Sequence, residues 1–297
     1  MNLPTTLSSP PMRFWPLLVR AFGLYKANLL NFFLLGFLSY LPFWLLDLAA
    51  DLDLSDPVEL IHGFLLDILV CLALPTLLNH GRIYPFATLK IFQDYFASAV
   101  LVVLSQVFLL FVLMLFFSGL GLPFVMFALM PFVLVLFVGH FALVNGKPAI
   151  RELGQNLVDS FQLVKSSFST VFFGYLNISL LMILPIMLFS LYYLGTHPQI
   201  EKLITQVEQE SQLEQSGQNE ALLGLVESLK IVVGETGYQT GRLALHLLFR
   251  PLKSLFLALL FAQLLERLNP KAHQRFFGLA EPLDPQEPLS SGLTPKE

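Results

Sequence analysis

Arg242, His246, Arg250 and Lys253 follow one another at spacings of four, four and three in an otherwise apolar stretch near the C-terminal end of the chain. Residues so spaced share one face of a helix, and Gln239 and Glu235 carry that face further. A cationic strip of this kind suits an anionic headgroup or an anionic solute. It equally suits the edge of a membrane span, with Arg242 and His246 in the interface and Arg250 snorkelling outward. Pro251 predicts a kink beside Arg250. A second candidate is Asp67, in HGFLLDILVCLALP. A charged carboxylate at the centre of a bilayer costs about 2.5–3.5 kcal/mol on insertion scales. Asp67 should therefore be protonated or paired, with Arg250 or Lys253 as natural partners. Its two readings are proton coupling in a carrier, or a buried pair or hydrogen bond that orients two helices. His62 and His140 fall near opposite ends of spans, so they cannot share a metal, and each reads as a hydrogen-bonded packing residue.

HExxH, GxSxG, GxxxxGK[ST] and GxGxxG do not occur in the chain. No catalytic residue, metal ligand or cofactor is assigned. The single cysteine, Cys71, leaves no intramolecular disulfide or cysteine cluster and reads as a packed core thiol. Only 13% of the residues are charged and 55% are hydrophobic, with 29 phenylalanines, and the mean hydropathy is +0.70. A soluble domain carries roughly 25% charged residues, so lipid is the main solvent expected here. The net charge of −4 gives no sign of nucleic-acid binding.

The elements that must position these residues are membrane helices. Six runs are long enough to span, near 29–48, 59–79, 98–118, 122–144, 170–194 and 244–266. They lack the alternation of barrel strands, so the expected fold is an all-α polytopic bundle. SGLGLP separates the third and fourth runs and predicts a tight helical hairpin. The first run is too long for a cleaved leader. Arg13, Arg20, Lys26, Arg82, Lys90, Lys147, Arg151, Lys165, Arg267, Lys271 and Arg275 all fall on alternate connections. The positive-inside rule then places both termini in the cytoplasm.

Those cytoplasmic connections echo one another. AFGLYKANLLNFF at 21–33 and SFQLVKSSFSTVFF at 160–173 align Phe22, Leu24 and Lys26 with Phe161, Leu163 and Lys165 at a constant offset of about 139 residues, and PFATLKIFQDYF at 85–96 is a weaker third copy. The reading is three parallel repeats, each an interfacial helix followed by a transmembrane hairpin. In the first, Trp15, Leu18, Phe22 and Tyr25 form an apolar side opposite Arg13, Arg20 and Lys26. In the third, Leu153, Leu157, Phe161 and Val164 form the apolar side. Arg20, Lys26, Lys90 and Lys165 are the expected contacts to lipid headgroups.

The resulting organisation is a cytoplasmic interfacial helix at 1–28, five transmembrane helices across 29–194 with interfacial helices at 85–96 and 148–165, an extracytoplasmic acidic helical hairpin at 195–240, a sixth transmembrane helix at 241–268, and a disordered cytoplasmic tail at 269–297. Asn219 is the expected N-cap within the acidic hairpin.

AIRELGQNLVDSFQLVKSSFSTVFFGYL, with LFLALLFAQLLERL as a closing helix, resembles the YciC-like six-span inner-membrane family, related to the membrane domain of some glycerophosphodiester phosphodiesterases. The resemblance covers about 12–270. HFALVNGKPAI puts His140 and Asn145 where many relatives carry an acidic residue. The resemblance implies a fold and a bacterial inner membrane. It implies no phosphodiesterase activity, because nothing here is large and polar enough to be the soluble barrel that carries it.

Three functions are then open. The first is a non-enzymatic membrane protein that organises lipids or partner proteins. The second is a transporter or channel for a small or anionic solute that uses Asp67 and the span-six cations, with helices broken at Gly36, Pro42, Pro75, Pro123, Pro131, Pro185 and Pro251. A membrane enzyme acting on lipid is the third. Expected partners are membrane lipids and other membrane proteins.

Overall fold

A computed structural model describes residues 14–50, 55–118, 133, 136–144, 150–198, 231–233 and 236–277. Nearly all of these are helical, and there is no strand among them. In chain order the helices are α1 (Phe14–Ala27), α2 (Leu29–Ala50), α3 (Ser55–His80), α4 (Pro85–Ser118), α5 (Val138–Val144), α6 (Ile150–Lys165), α7 (Phe168–Thr196), α8 (Thr236–Leu268) and α9 (Pro270–Phe277). Among the described residues three stretches are long and apolar enough to cross a bilayer: Ile61–His80, Phe168–Thr196 and Gly237–Leu268. A fourth counts if α1 and Leu29–Pro42, bent by 84° at their junction, are one broken span. The chain is a helical membrane protein. The SGLGLP turn beyond Ser118 and most of 122–144 lie outside the described residues, as do Asn219 and the 199–230 core of the acidic hairpin. Within the expected hairpin, 236–240 instead begins α8.

The helices form two compact units, 179–250 and the remainder. The larger unit is organised around α3, which packs on α2, α4, α5 and α9. Leu66, Ile68, Leu69, Val70, Cys71, Ala73 and Leu74 are consecutive or nearly so, and all are buried. A helix that is apolar on every side belongs inside a bundle. The second half of α8 has the same character from Leu252 to Leu265. The span in α7 matches α3 in hydropathy, yet only 22% of its window is buried against 72% for α3. Composition is alike; position decides which helix faces lipid.

Polar residues set the breaks between helices. Asn28 is buried at the α1–α2 bend. Its amide donates to the Leu24 and Gly81 carbonyls at 3.2 and 3.0 Å, and its Oδ1 accepts from the Ile83 N–H at 3.1 Å. One side chain therefore ties the first bend to the loop between α3 and α4. That loop turns at Gly81, whose φ of 69° is readily adopted by glycine. At the start of the bend, the Asn28 N–H donates to the Tyr25 carbonyl and the Phe32 N–H to the Asn28 carbonyl. The same two bonds recur between α6 and α7, from Ser167 to Val164 and from Val171 to Ser167. These positions are related by the offset of the sequence echo.

The second echo departs from that pattern. Residues 85–96 are the first third of α4, which runs unbroken for 34 residues, rather than a separate interfacial helix. Phe96, Ala97, Ser98 and Ala99 offer no proline, glycine or side-chain amide to end it. At 1.5 Å per residue α4 is about 50 Å long, well beyond a hydrocarbon core of about 30 Å.

A second correction concerns the tail. Residues 270–277 are α9, not part of a disordered segment. Asn269 accepts from the Ala272 N–H at 3.1 Å and Pro270 takes the first helical position, a cap and start in the preferred order. Ala272, Phe276 and Phe277 are buried. Phe277 meets Phe261 of α8, which also meets Phe137, His140 and Phe141. Residues 278–297 lie outside the described residues.

Candidate functional site

Asp67 faces α8. Ser254 Oγ, fully buried, donates to its Oδ1 at 2.5 Å. This bond joins α3 to the buried second half of α8. One residue earlier, Lys253 turns elsewhere. Its Nζ lies 3.4 Å from the Tyr175 hydroxyl and 4.6 Å from the centre of that ring. Both a hydroxyl and an aromatic face therefore receive the cation. Neither Ser254 nor Tyr175 figured among the expected partners. A serine next to a lysine in an apolar helix carries no sequence signal for a carboxylate on another helix. Arg242, His246 and Arg250 share a face of α8, as their spacing requires, within the smaller unit; Lys253 follows them on the same unbroken helix.

In the smaller unit, α8 meets α7 through glycines. A Cβ on Gly237 would lie 2.8 Å from the Tyr193 hydroxyl, and one on Gly241 would overlap the Phe189 ring. Tyr238, between them, shares a hydrogen bond with Ser190 at 2.9 Å. This is close small-xxx-small packing, legible in TGYQTGR but absent from the sequence reading.

His62 is a buried packing residue with hydrogen bonds, as expected. Ser39 Oγ donates to the Gly36 carbonyl at 2.8 Å and lies 2.9 Å from His62 Nε2. Nε2 is also 3.2 Å from that carbonyl. The Ser39 proton is already committed, so the bond is satisfied when His62 carries its proton on Nε2. His140 differs from expectation. It is 2% exposed, and neither ring nitrogen has a hydrogen-bond partner among the described residues. Instead its ring packs at 5.3 Å from Phe137 and 5.1 Å from Phe261. It is a packing residue, but not a hydrogen-bonded one.

The interfacial segments also sort their faces in an unexpected way. On α1, Leu17, Ala21 and Tyr25 point inward, while Trp15, Val19 and Phe22 are exposed beside Arg20 and Lys26. Tyr25, and half-buried Leu18, therefore part from Trp15 and Phe22, with which the expected apolar side grouped them, and Trp15 and Phe22 are exposed together with the basic residues they were expected to oppose. On α6 the buried face is mixed: Asn156, Asp159 and Ser160 precede buried Leu163 and Val164. Asp159 accepts from the Gln155 amide at 2.8 Å, and Ser160 Oγ accepts from the Phe137 N–H at 3.3 Å. Gln106 of α4 donates to the neighbouring Leu136 carbonyl at 3.4 Å. The outward face holds Val158 and Phe161. Gln155, Gln162 and Lys165 share that outward face, so α6 carries polar and apolar groups on both its sides. Arg20, Lys26, Lys90 and Lys165 are all exposed.

Comparison with family models, curated proteins and solved structures returns no match. Function must therefore be argued from this geometry. Among the described residues no group of three or more His, Cys, Asp or Glu side chains is placed to hold a metal. Gly36, Pro42, Pro75, Pro185 and Pro251 lie inside α2, α3, α7 and α8, each of which continues through them. They do not mark the broken helices that a midplane transport site would use. Pro123 and Pro131 lie outside the described residues.

Proposed function

We propose that this chain is a non-enzymatic, six-span protein of a bacterial inner membrane that organises lipids or partner proteins. Both termini face the cytoplasm, and three parallel repeats carry basic, aromatic segments to that face. The observation that carries the reading is the exposed apolar pair Val158 and Phe161 on α6, set on the same outward side as Lys165. Such a surface suits lipid or another apolar partner. The matching bonds at Asn28 and Ser167 support a duplicated unit. A kinship with the YciC-like group, resting on AIRELGQNLVDSFQLVKSSFSTVFFGYL, belongs to the same proposal.

A carrier is the second reading, and the part-buried Ser254–Asp67 bond favours it, because an intramembrane carboxylate is a common coupling group. Two measurements separate the readings. Gentle extraction followed by native mass spectrometry should give a reproducible protein partner at fixed stoichiometry. Proteoliposomes should show no solute flux that depends on Asp67. A flux abolished by Asp67→Asn together with Arg250→Gln, with no partner recovered, replaces the organising role by transport.

A further inference from the structure

We infer that the three echoed segments are three seats for anionic phospholipid headgroups, each made by an outward phenylalanine and the lysine four residues after it. The pairs are Phe22 with Lys26, Phe86 with Lys90, and Phe161 with Lys165. The inference rests on the lipid-organising reading above and names its ligand.

Residues four apart on a helix stand one above the other on the same face. In all three segments that face is the outer one. Phe22, Phe86 and Phe161 are 55%, 68% and 43% exposed, and all three lysines are exposed. In the third pair the ammonium lies 6.0 Å from the ring centre, so the cation and the apolar surface form one patch. The opposite side of each segment is locked into the bundle: Leu17, Ala21 and Tyr25 behind the first, Thr88 and Phe92 behind the second, Leu163 and Val164 behind the third. The pairs are thus held outward before any ligand arrives. Asn28, through its bonds to Gly81 and Ile83, sets the end of the first segment beside the start of the second.

A lysine offers a phosphate a point charge with three donors. An aromatic ring one turn away takes up the apolar base of the same lipid, as aromatic side chains do at the headgroup level. The stem of the lysine lies along apolar surface while its ammonium reaches the phosphate. Free phosphate would use only half of this patch. The seats are not equal in strength. Exposed Asp94 lies four residues beyond Lys90, on the same face, and competes for its charge. The second seat is the weakest.

The test uses the full-length chain in non-ionic detergent, titrated with phosphatidylglycerol or phosphatidylcholine and counted by native mass spectrometry. Up to three phosphatidylglycerols should be retained above the phosphatidylcholine background. Lys26→Gln, Lys90→Gln and Lys165→Gln should each remove one. The triple Gln variant should fall to background, and the triple Arg variant should keep three. Asp94→Asn should tighten binding several-fold, and Phe22→Ala, Phe86→Ala and Phe161→Ala together should weaken it several-fold. Millimolar glycerol 3-phosphate should displace nothing. An unchanged count in the triple Gln variant, equal retention of the two lipids, or a loss confined to one lysine overturns the inference. If a partner protein still co-purifies in that case, only the seats fail and the organising role stands.

Discussion

At the scale of single residues, buried polar side chains do structural work that their neighbours in sequence do not announce. Asn28 satisfies groups on two connections with one amide. Asn28→Ala leaves the Ile83 N–H, itself buried, without its acceptor. A lost partner of that kind costs about 1–3 kcal/mol, and a clear drop in the thermal midpoint in detergent is expected. The Ser254–Asp67 bond gives a sharper contrast. Asn at position 67 can still accept from Ser254, so Asp67→Asn should shift the midpoint little. Ser254→Ala removes that hydrogen bond to the part-buried Asp67 and should cost about 1 kcal/mol. If Asp67→Asn proved the more damaging change, the carboxylate charge, rather than the bond to Ser254, would be what matters there.

Among the helices, two contacts have measurable consequences. Gly241 lets the Phe189 ring lie against α8, and that ring is also stacked on Tyr238 at 5.9 Å. Gly241→Ala overpacks this contact, and such changes typically cost about 1–3 kcal/mol. Its thermal midpoint should fall, whereas Gly23→Ala, with nothing near its missing Cβ, should be neutral or better. The docking of α9 should be pH-sensitive. His273 sits against Phe277 at 5.1 Å. Burial lowers its pKa from the ordinary histidine range, and nearby Glu266 only partly offsets this. The unfolded chain therefore takes up the proton first as pH falls below about 6.5. This contribution is complete above that pH and is lost as pH drops through the lowered value. Unfolding followed from pH 7.5 to 5 should show a downward slope that His273→Gln reduces. An identical slope in both proteins places the titrating group elsewhere.

For the whole molecule, the parallel-repeat reading requires Lys26, Lys90 and Lys165 to lie on one side of the membrane. Cysteines placed singly at these positions should all label with an impermeant maleimide from the cytoplasmic side of vesicles, and none from the other. Native Cys71 is fully buried and should stay silent. A split result would end the parallel arrangement.

The helical class was legible in the sequence because lipid permits few other solutions: long apolar runs must satisfy their own backbone groups. The echo of Phe22 and Lys26 in Phe161 and Lys165 was legible too, because spacing along a helix fixes which side chains share a face. Spacing does not fix which way that face turns. Only packing decided that Asn156, Asp159 and Ser160 point inward, that Tyr25 parts from Trp15 and Phe22, and that Lys253 meets Tyr175 while Ser254 meets Asp67. Each of these depends on what a different helix presents at the same depth. Residues lying 78 and 187 positions apart become neighbours only when the helices assemble, and a local pattern carries no record of that meeting.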